Sequence, residues 1–337
     1  MQKIQQNVYP TRRQALAATA GFLGAASSLR VEAADVQTSS FTDETWQDTR
    51  RQRAVPVRIR WPSAPLPDVE WPVVVYSHGL GGSRYGGEVW GNVWAAAGLV
   101  VVHLQHAGSD IDAARGVTSG FKDQAALRSL GGGTQLLARL QDVIFALDEM
   151  ARRKVNDKLW RSVRLGGVGM AGHSFGAHTT LGVGGQAYPN HPAMSESRIA
   201  ALVALSPSVP AKGDAAQAFA AITRPTLCIT GTLDDDVMGN GSTPDKRASV
   251  FAALPAGNKA MLLLKDADHM SFSGVTGRAA KIVQRQTTTT ELQPVHHALV
   301  ARTSTDWWRA HLMGDEEAKA RLQKPQGMAL LDRWQTG

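Results

Sequence analysis

The feature that most restricts this chain is a succession of strand-length apolar runs, several of them unbroken rather than alternating. They are VPVRIRW (55–61), PVVVYSH (72–78), LVVVHLQ (99–105), VRLGGVGMAG (163–172), IAALVALS (199–206), PTLCITG (225–231) and AMLLLK (260–265). A strand with one wetted face alternates apolar and polar residues, whereas a strand apolar on both faces must be covered on both, as in a parallel sheet. Candidate covers fall between the runs: GGEVWGNVWAAAG, TQLLARLQDVIFALDEMARR, the segment after Ser174, TPDKRASVFAAL and the region around HHALVARTSTDWWRAHL. In the second of these, Leu136, Leu137, Leu140, Val143, Ile144 and Leu147 keep the three-to-four spacing of one helix face. The alternation predicts an α/β fold, a doubly wound and mostly parallel sheet with helices on both faces.

The 337 residues hold no internal repeat and no composition shift that would divide residues 53–337, so one domain is expected there. Its stability has to come from a large core, because the one cysteine, Cys228, excludes an intrachain disulfide and lies in an apolar run. Residues 1–33 read as an export signal. Arg12-Arg13 precede the small-sided apolar stretch ALAATAGFLGAASSL, and Val31-Glu32-Ala33 offer small residues before a cut at Ala34. The paired arginines resemble a twin-arginine signal, which implies a periplasmic or secreted protein. The stretch is too short to predict a stable membrane span. Residues 34–52 are polar and read as an extended lead-in. The net charge is +7, of which Lys3, Arg12, Arg13 and Arg30 against Glu32 supply +3. With no dense Lys/Arg cluster interleaved with aromatics, the rest argues against a nucleic-acid partner.

One stretch interrupts the rhythm. Residues 107–135 are rich in Gly, Ser and charges and too long for a plain connection, so they read as a loop or a lid closed by the glycines 131–133.

Chemistry concentrates where strands end. Gly172-His173-Ser174-Phe175-Gly176 lies between an apolar run and a helical segment. A sharp strand-to-helix turn exposes the serine hydroxyl and requires small neighbours on either side. A hydroxyl needs a base near neutral pH, and His269 follows the last of the runs. It also needs a carboxylate to orient that base. Asp234, in GTLDDDV after PTLCITG, is the first choice, with Asp235 and Asp236 as rivals; Asp266 and Asp268 suit turn roles better. For a developing oxyanion, the loop Ser77-His78-Gly79-Leu80-Gly81-Gly82 offers the amide of Leu80, and the amide of Phe175 directly follows the serine. Tyr85 and Trp90 are placed as possible substrate walls. His103 and His106 form H-x-x-H without a metalloprotease motif and read, like His178, as structural; the His173 side chain should diverge from Ser174, and His296, His297 and His311 read as helix surface or packing positions.

YSHGLGG, HAGSD, RLQDVIFALDEM, GHSFGA, GTLDDD and DADHMSFSG together resemble α/β-hydrolases of the dienelactone hydrolase and platelet-activating-factor acetylhydrolase-like group, over about residues 50–315. The resemblance implies the α/β-hydrolase fold, a serine esterase acting through an acyl-enzyme, and Leu80 as second oxyanion donor. Two departures matter. The group's dienelactone hydrolases use cysteine where this chain has Ser174. Its animal phospholipase members carry the acid after the strand that follows the nucleophile, where this chain has Leu205-Ser206-Pro207-Ser208. The expected activity is hydrolysis of a small-molecule or lipid-like carboxylic ester, with no cofactor and no metal. An amidase, a lipase or phospholipase, a polyester depolymerase and a catalytically silent binding protein remain as alternatives.

Overall fold

Each of the seven apolar runs forms a strand. They become β2 (Arg53–Arg60), β3 (Trp71–Ser77), β4 (Val100–Leu104), β5 (Val163–His173), β6 (Ile199–Leu205), β7 (Thr226–Leu233) and β8 (Lys259–Asp268). Two further strands stand at the margins, β1 (Phe41–Asp48) and β9 (Arg333–Thr336). The computed structural model describes residues 40–63, 70–117, 123–189, 191, 193–276 and 285–337. The expected signal at 1–33 lies outside them. The strand order is β1-β2-β4-β3-β5-β6-β7-β8-β9, parallel from β4 to β8 and antiparallel at both margins. The polar lead-in is therefore not loose chain throughout: residues 41–48 pair along their whole length with β2 and bury Trp46 and Asp48.

The unbroken apolar runs are explained by two helical layers. On one face α4 (Gly133–Asn156), α5 (Phe175–Gly184) and α7 (Pro244–Ala253) pack on Val73, Val75, Val100, Val102, Met170 and Leu202. On the other, α1 (Glu88–Ala96) and α8 (Thr287–Leu312) cover Val74, Tyr76, Val101, Ala171, Val203 and Leu205. Successive strand residues thus feed opposite layers, and every residue of β3 is buried. Trp90, expected near substrate, instead lies wholly inside the second layer with its Nε1 donating to the Phe272 carbonyl. Cys228 is buried in the first, and burial pushes its thiol up to about 12, away from any nucleophilic role.

The excursion at 107–135 carries α2 (Ile111–Val117) and α3 (Gln124–Ser129), and Gly133 opens α4. Residues 118–122 of this stretch lie outside the described residues. Three more short helices, α6 (Ala215–Phe219) and α9 (Glu316–Arg321) among the connections and a 3-10 turn at Trp160–Ser162, complete the layers. Among the described residues no helix is long and apolar enough to cross a membrane.

The order of connection places the site. The chain leaves β3 for β4 on one side, then returns to β5 on the other side of β3. At such a reversal the loops leaving the two strands diverge and open a crevice at their carboxyl ends. The loops there are His78–Gly82 and the turn at Ser174.

Candidate active site

Ser174 sits in the turn from β5 to α5 with φ 56° and ψ −115°, a left-handed conformation that a non-glycine residue holds only under constraint. Its own N–H donates to the Leu205 carbonyl at 3.0 Å. The flanking glycines are required by backbone, not by the serine. A Cβ on Gly176 would overlap the Ser77 carbonyl, and one on Gly172 would overlap the Gly176 carbonyl. These contacts let α5 start directly against β3 and β5.

His269 follows β8 and opens a 3-10 turn, His269–Phe272. Asp268 fixes that turn. Its carboxylate accepts from the Ser271 N–H at 2.9 Å and from Arg285 at 2.7 and 2.8 Å, so it serves the turn. His269 Nε2 lies 2.9 Å from Ser174 Oγ, and Nδ1 lies 2.8 Å from Asp234 Oδ1. Three segments some 95 and 35 residues apart therefore bring a hydroxyl, an imidazole and a carboxylate into line. Of the rival acids, Asp235 accepts the Asp236 N–H, and Asp236 caps the Met238 and Gly241 amides.

Asp234 is fully buried and has four supports. Thr230 Oγ1 donates to Oδ2 at 2.8 Å, and Ser206 Oγ donates to Oδ2 at 2.5 Å. The Arg247 guanidinium lies 2.9 Å from Oδ1, and His269 holds the same oxygen. Burial pushes this carboxyl's pKa up, but the imidazole, Arg247 and the Ser206 hydrogen bond outweigh it, and the group stays below its ordinary value. A carboxylate held ionised keeps the imidazole proton on Nδ1, which leaves Nε2 free to accept from Ser174.

Sequence reasoning missed Ser206 and Arg247. Ser206 directly follows β6 with φ 57°, and its Oγ also lies 2.8 Å from His269 Nδ1. Arg247, on α7, donates to the backbone carbonyls of Asp234 and Ser206, both at 2.9 Å. The only hint was that the strand after the nucleophile ends in a polar residue at the same sheet edge. The His173 ring diverges from Ser174, as its place inside the turn predicts. Nε2 donates to the His269 carbonyl at 2.9 Å, and the two rings lie 4.7 Å apart.

Gly79 brings the His78–Gly82 loop against the serine, since a Cβ there would stand 3.5 Å from Ser174 Cβ. Among the described residues no acceptor takes the amide of Leu80 or that of Phe175. Phe175 directly follows the serine in sequence, and Leu80 follows Gly79 in the loop that approaches it. His103 and His106 diverge. His103 Nδ1 meets the Gly86 carbonyl at 2.9 Å, while His106 joins Ser77 and Asp142 on the opposite side of the sheet. Tyr85 stays exposed and stacks on Arg58.

Residues 50–130 match the family model described as platelet-activating factor acetylhydrolase, isoform II. The match spans β2 to α3 and includes the His78–Gly82 loop. The chain has the α/β-hydrolase fold. Its mostly parallel sheet with two helical layers is the architecture of that family, and the similarity indicates a hydrolase acting on esters. No curated protein matches this chain significantly over its length.

Proposed function

We propose that this protein is an exported serine hydrolase that cleaves carboxylic esters through an acyl-enzyme. The observation that carries the reading is the continuous line Ser174 Oγ, His269 Nε2, His269 Nδ1, Asp234 Oδ1, with steps of 2.9 and 2.8 Å. Ser174 attacks the ester carbonyl while its proton passes to His269 Nε2. Negative charge collects on the former carbonyl oxygen, next to the amides of Leu80 and Phe175, and α5 adds the positive end of its dipole. As the tetrahedral adduct collapses, the C–O bond to the alcohol breaks and His269 gives its proton to that oxygen. A water then repeats the sequence on the acyl-enzyme, with His269 taking its proton, and the acid leaves. Asp234 steadies the imidazolium in both halves without taking a proton. The steps need no group beyond the chain and water.

A fluorophosphonate probe is expected to label the purified protein at Ser174, located by peptide mass spectrometry, and to leave Ser174→Ala unlabelled. An unreactive wild type would favour a binding protein on a hydrolase scaffold. The substrate class follows from rates on p-nitrophenyl esters of rising acyl length, beside amide and phospholipid controls.

Export rests on Arg12-Arg13 and the small-residue site before Ala34. In a bacterial host with a twin-arginine system, protein in the periplasmic fraction should begin at Ala34. Full-length protein retained in the cytoplasm would count against it.

A further inference from the structure

Resting on the serine-hydrolase reading, we propose that Arg139 of α4 is the positioning residue of the oxyanion site. It sets the Gly79–Leu80 peptide so that the Leu80 N–H faces the reacting carbonyl, and it braces Phe175, which carries the other donor.

Arg139 has no exposed surface. A buried guanidinium ordinarily seeks a carboxylate. This one spends its hydrogen bonds on the loop after β3 and on Ser109. Nη1 donates to the His78 carbonyl at 2.7 Å and reaches Ser77 Oγ at 3.4 Å. Nη2 lies 3.5 Å from the Gly79 carbonyl, 3.3 Å from the Ser109 carbonyl and 3.4 Å from His78 Nδ1. Nε donates to Ser109 Oγ at 2.8 Å. The Gly79 carbonyl is held on the same side by His78 Nδ1 at 2.6 Å and by the Gly82 N–H at 3.0 Å.

Peptide geometry converts those carbonyl contacts into a statement about the amide. Among the described residues no peptide bond is cis, and in a planar trans peptide the C=O and the following N–H point in opposite directions. With the Gly79 carbonyl drawn to Arg139 and the His78 ring, the Leu80 N–H is turned away from them. On that side we place the substrate carbonyl; among the described residues no acceptor takes the Leu80 amide. Arg139 also lies over the Phe175 ring, 4.3 Å from its centroid. One side chain therefore touches both segments that carry the oxyanion donors, without touching the space where a substrate would sit.

Arg139 is itself held from behind. Ser77 Oγ, His106 and Asp142 form a second Ser–His–Asp line with steps of 2.9 and 3.0 Å, completely buried. It resembles the first in order only, because Ser77 Oγ is buried against His106 and Arg139. Its His106 N–H meets His78 Nε2 at 3.1 Å, which fixes the His78 ring that clamps the Gly79 carbonyl. Burial and the nearby Arg139 keep His78 and His106 neutral, so the charge in this cluster that faces the loop is the guanidinium.

The test uses the full protein with p-nitrophenyl acetate, and benzeneboronic acid as a mimic of the tetrahedral adduct. Arg139→Met should lower kcat by about 10²-fold with KM within about threefold, as expected when an oxyanion donor is lost. Boronate affinity should fall in step with kcat/KM. Arg139→Lys, which keeps charge but not the fork, should recover part of the loss. A folded Arg139→Met with unchanged kcat, or with a loss confined to KM, overturns the proposal. If Arg139→Met does not melt cooperatively, Ser109→Ala, which removes the acceptor of Nε, replaces it. A drop in kcat at constant KM supports the assignment, and an unchanged kcat overturns it. Fluorophosphonate labelling of the wild type separates the two readings, since an inert wild type removes the serine-hydrolase reading itself.

Discussion

Asp234→Asn is expected to lower kcat on p-nitrophenyl acetate by about 10⁴-fold, the scale seen when a triad carboxylate becomes an amide. The reason is tautomeric. An Asn amide N–H beside His269 would draw a lone pair on Nδ1 and put the imidazole proton on Nε2, where it opposes the Ser174 hydroxyl instead of accepting from it. Loss of the negative charge would also leave Arg247 facing His269 with no anion between them. Asp235→Asn and Asp236→Asn should each stay within about tenfold of wild type, since their carboxylates serve only neighbouring backbone amides. The contrast among three consecutive acids is the measurement. An Asp234→Asn variant retaining more than a tenth of wild-type kcat would remove Asp234 from the triad.

Folding stability is expected to fall steeply between pH 6.5 and about 4, well above the range where carboxylates protonate. Three buried histidines set this. Burial lowers His103 to about 3 with help from Arg60, His106 to about 4 with help from Arg139, and His173 to about 3 with help from His269. In the unfolded chain each takes a proton below its ordinary 6.5, while in the fold it does not. The unfolded state thus binds more protons, and stability declines with acidification by about 1.4 kcal/mol per histidine per pH unit. For three histidines that is about 4 kcal/mol per pH unit, a large part of a domain's usual 5–15 kcal/mol. His78 acts in the same direction. The carboxylates add a lower window. Asp142 is pushed up by burial, but His106 and Arg53 outweigh this and bring it to about 2, so its contribution is lost only from below 3.8 toward 2. Urea unfolding at pH 7 and pH 5 checks the prediction, and equal stabilities at the two values would contradict it.

The sheet's centre was legible because burial on both faces leaves unbroken apolar runs, and β2 to β8 fall on the expected segments. The margins were not. β1 reads FTDETWQD and β9 reads RWQT. An edge strand is held by backbone pairing on one side, so its side chains need no apolar pattern. The hydroxyl, imidazole and carboxylate that meet in the site were visible because each follows a recognisable run in the chain order this fold uses. Their supports were not. Arg139 and Arg247 lie mid-helix among other charged residues, and Ser206 is one serine among several in a loop. Only the closing of the sheet shows which polar side chains were folded inward.

Asp142 accepts from Arg53 at 2.7 and 2.9 Å and from Arg51 at 2.9 Å, both just upstream of or within β2. The same carboxylate holds His106, whose N–H meets the His78 ring. The outermost hairpin is thereby wired through Asp142, His106 and His78 to the crevice beside Ser174, although it looks like trimmable packaging. Substitutions near Arg51 and Arg53 belong in the same experimental class as those in the crevice, and surface engineering of this molecule should leave that corner alone.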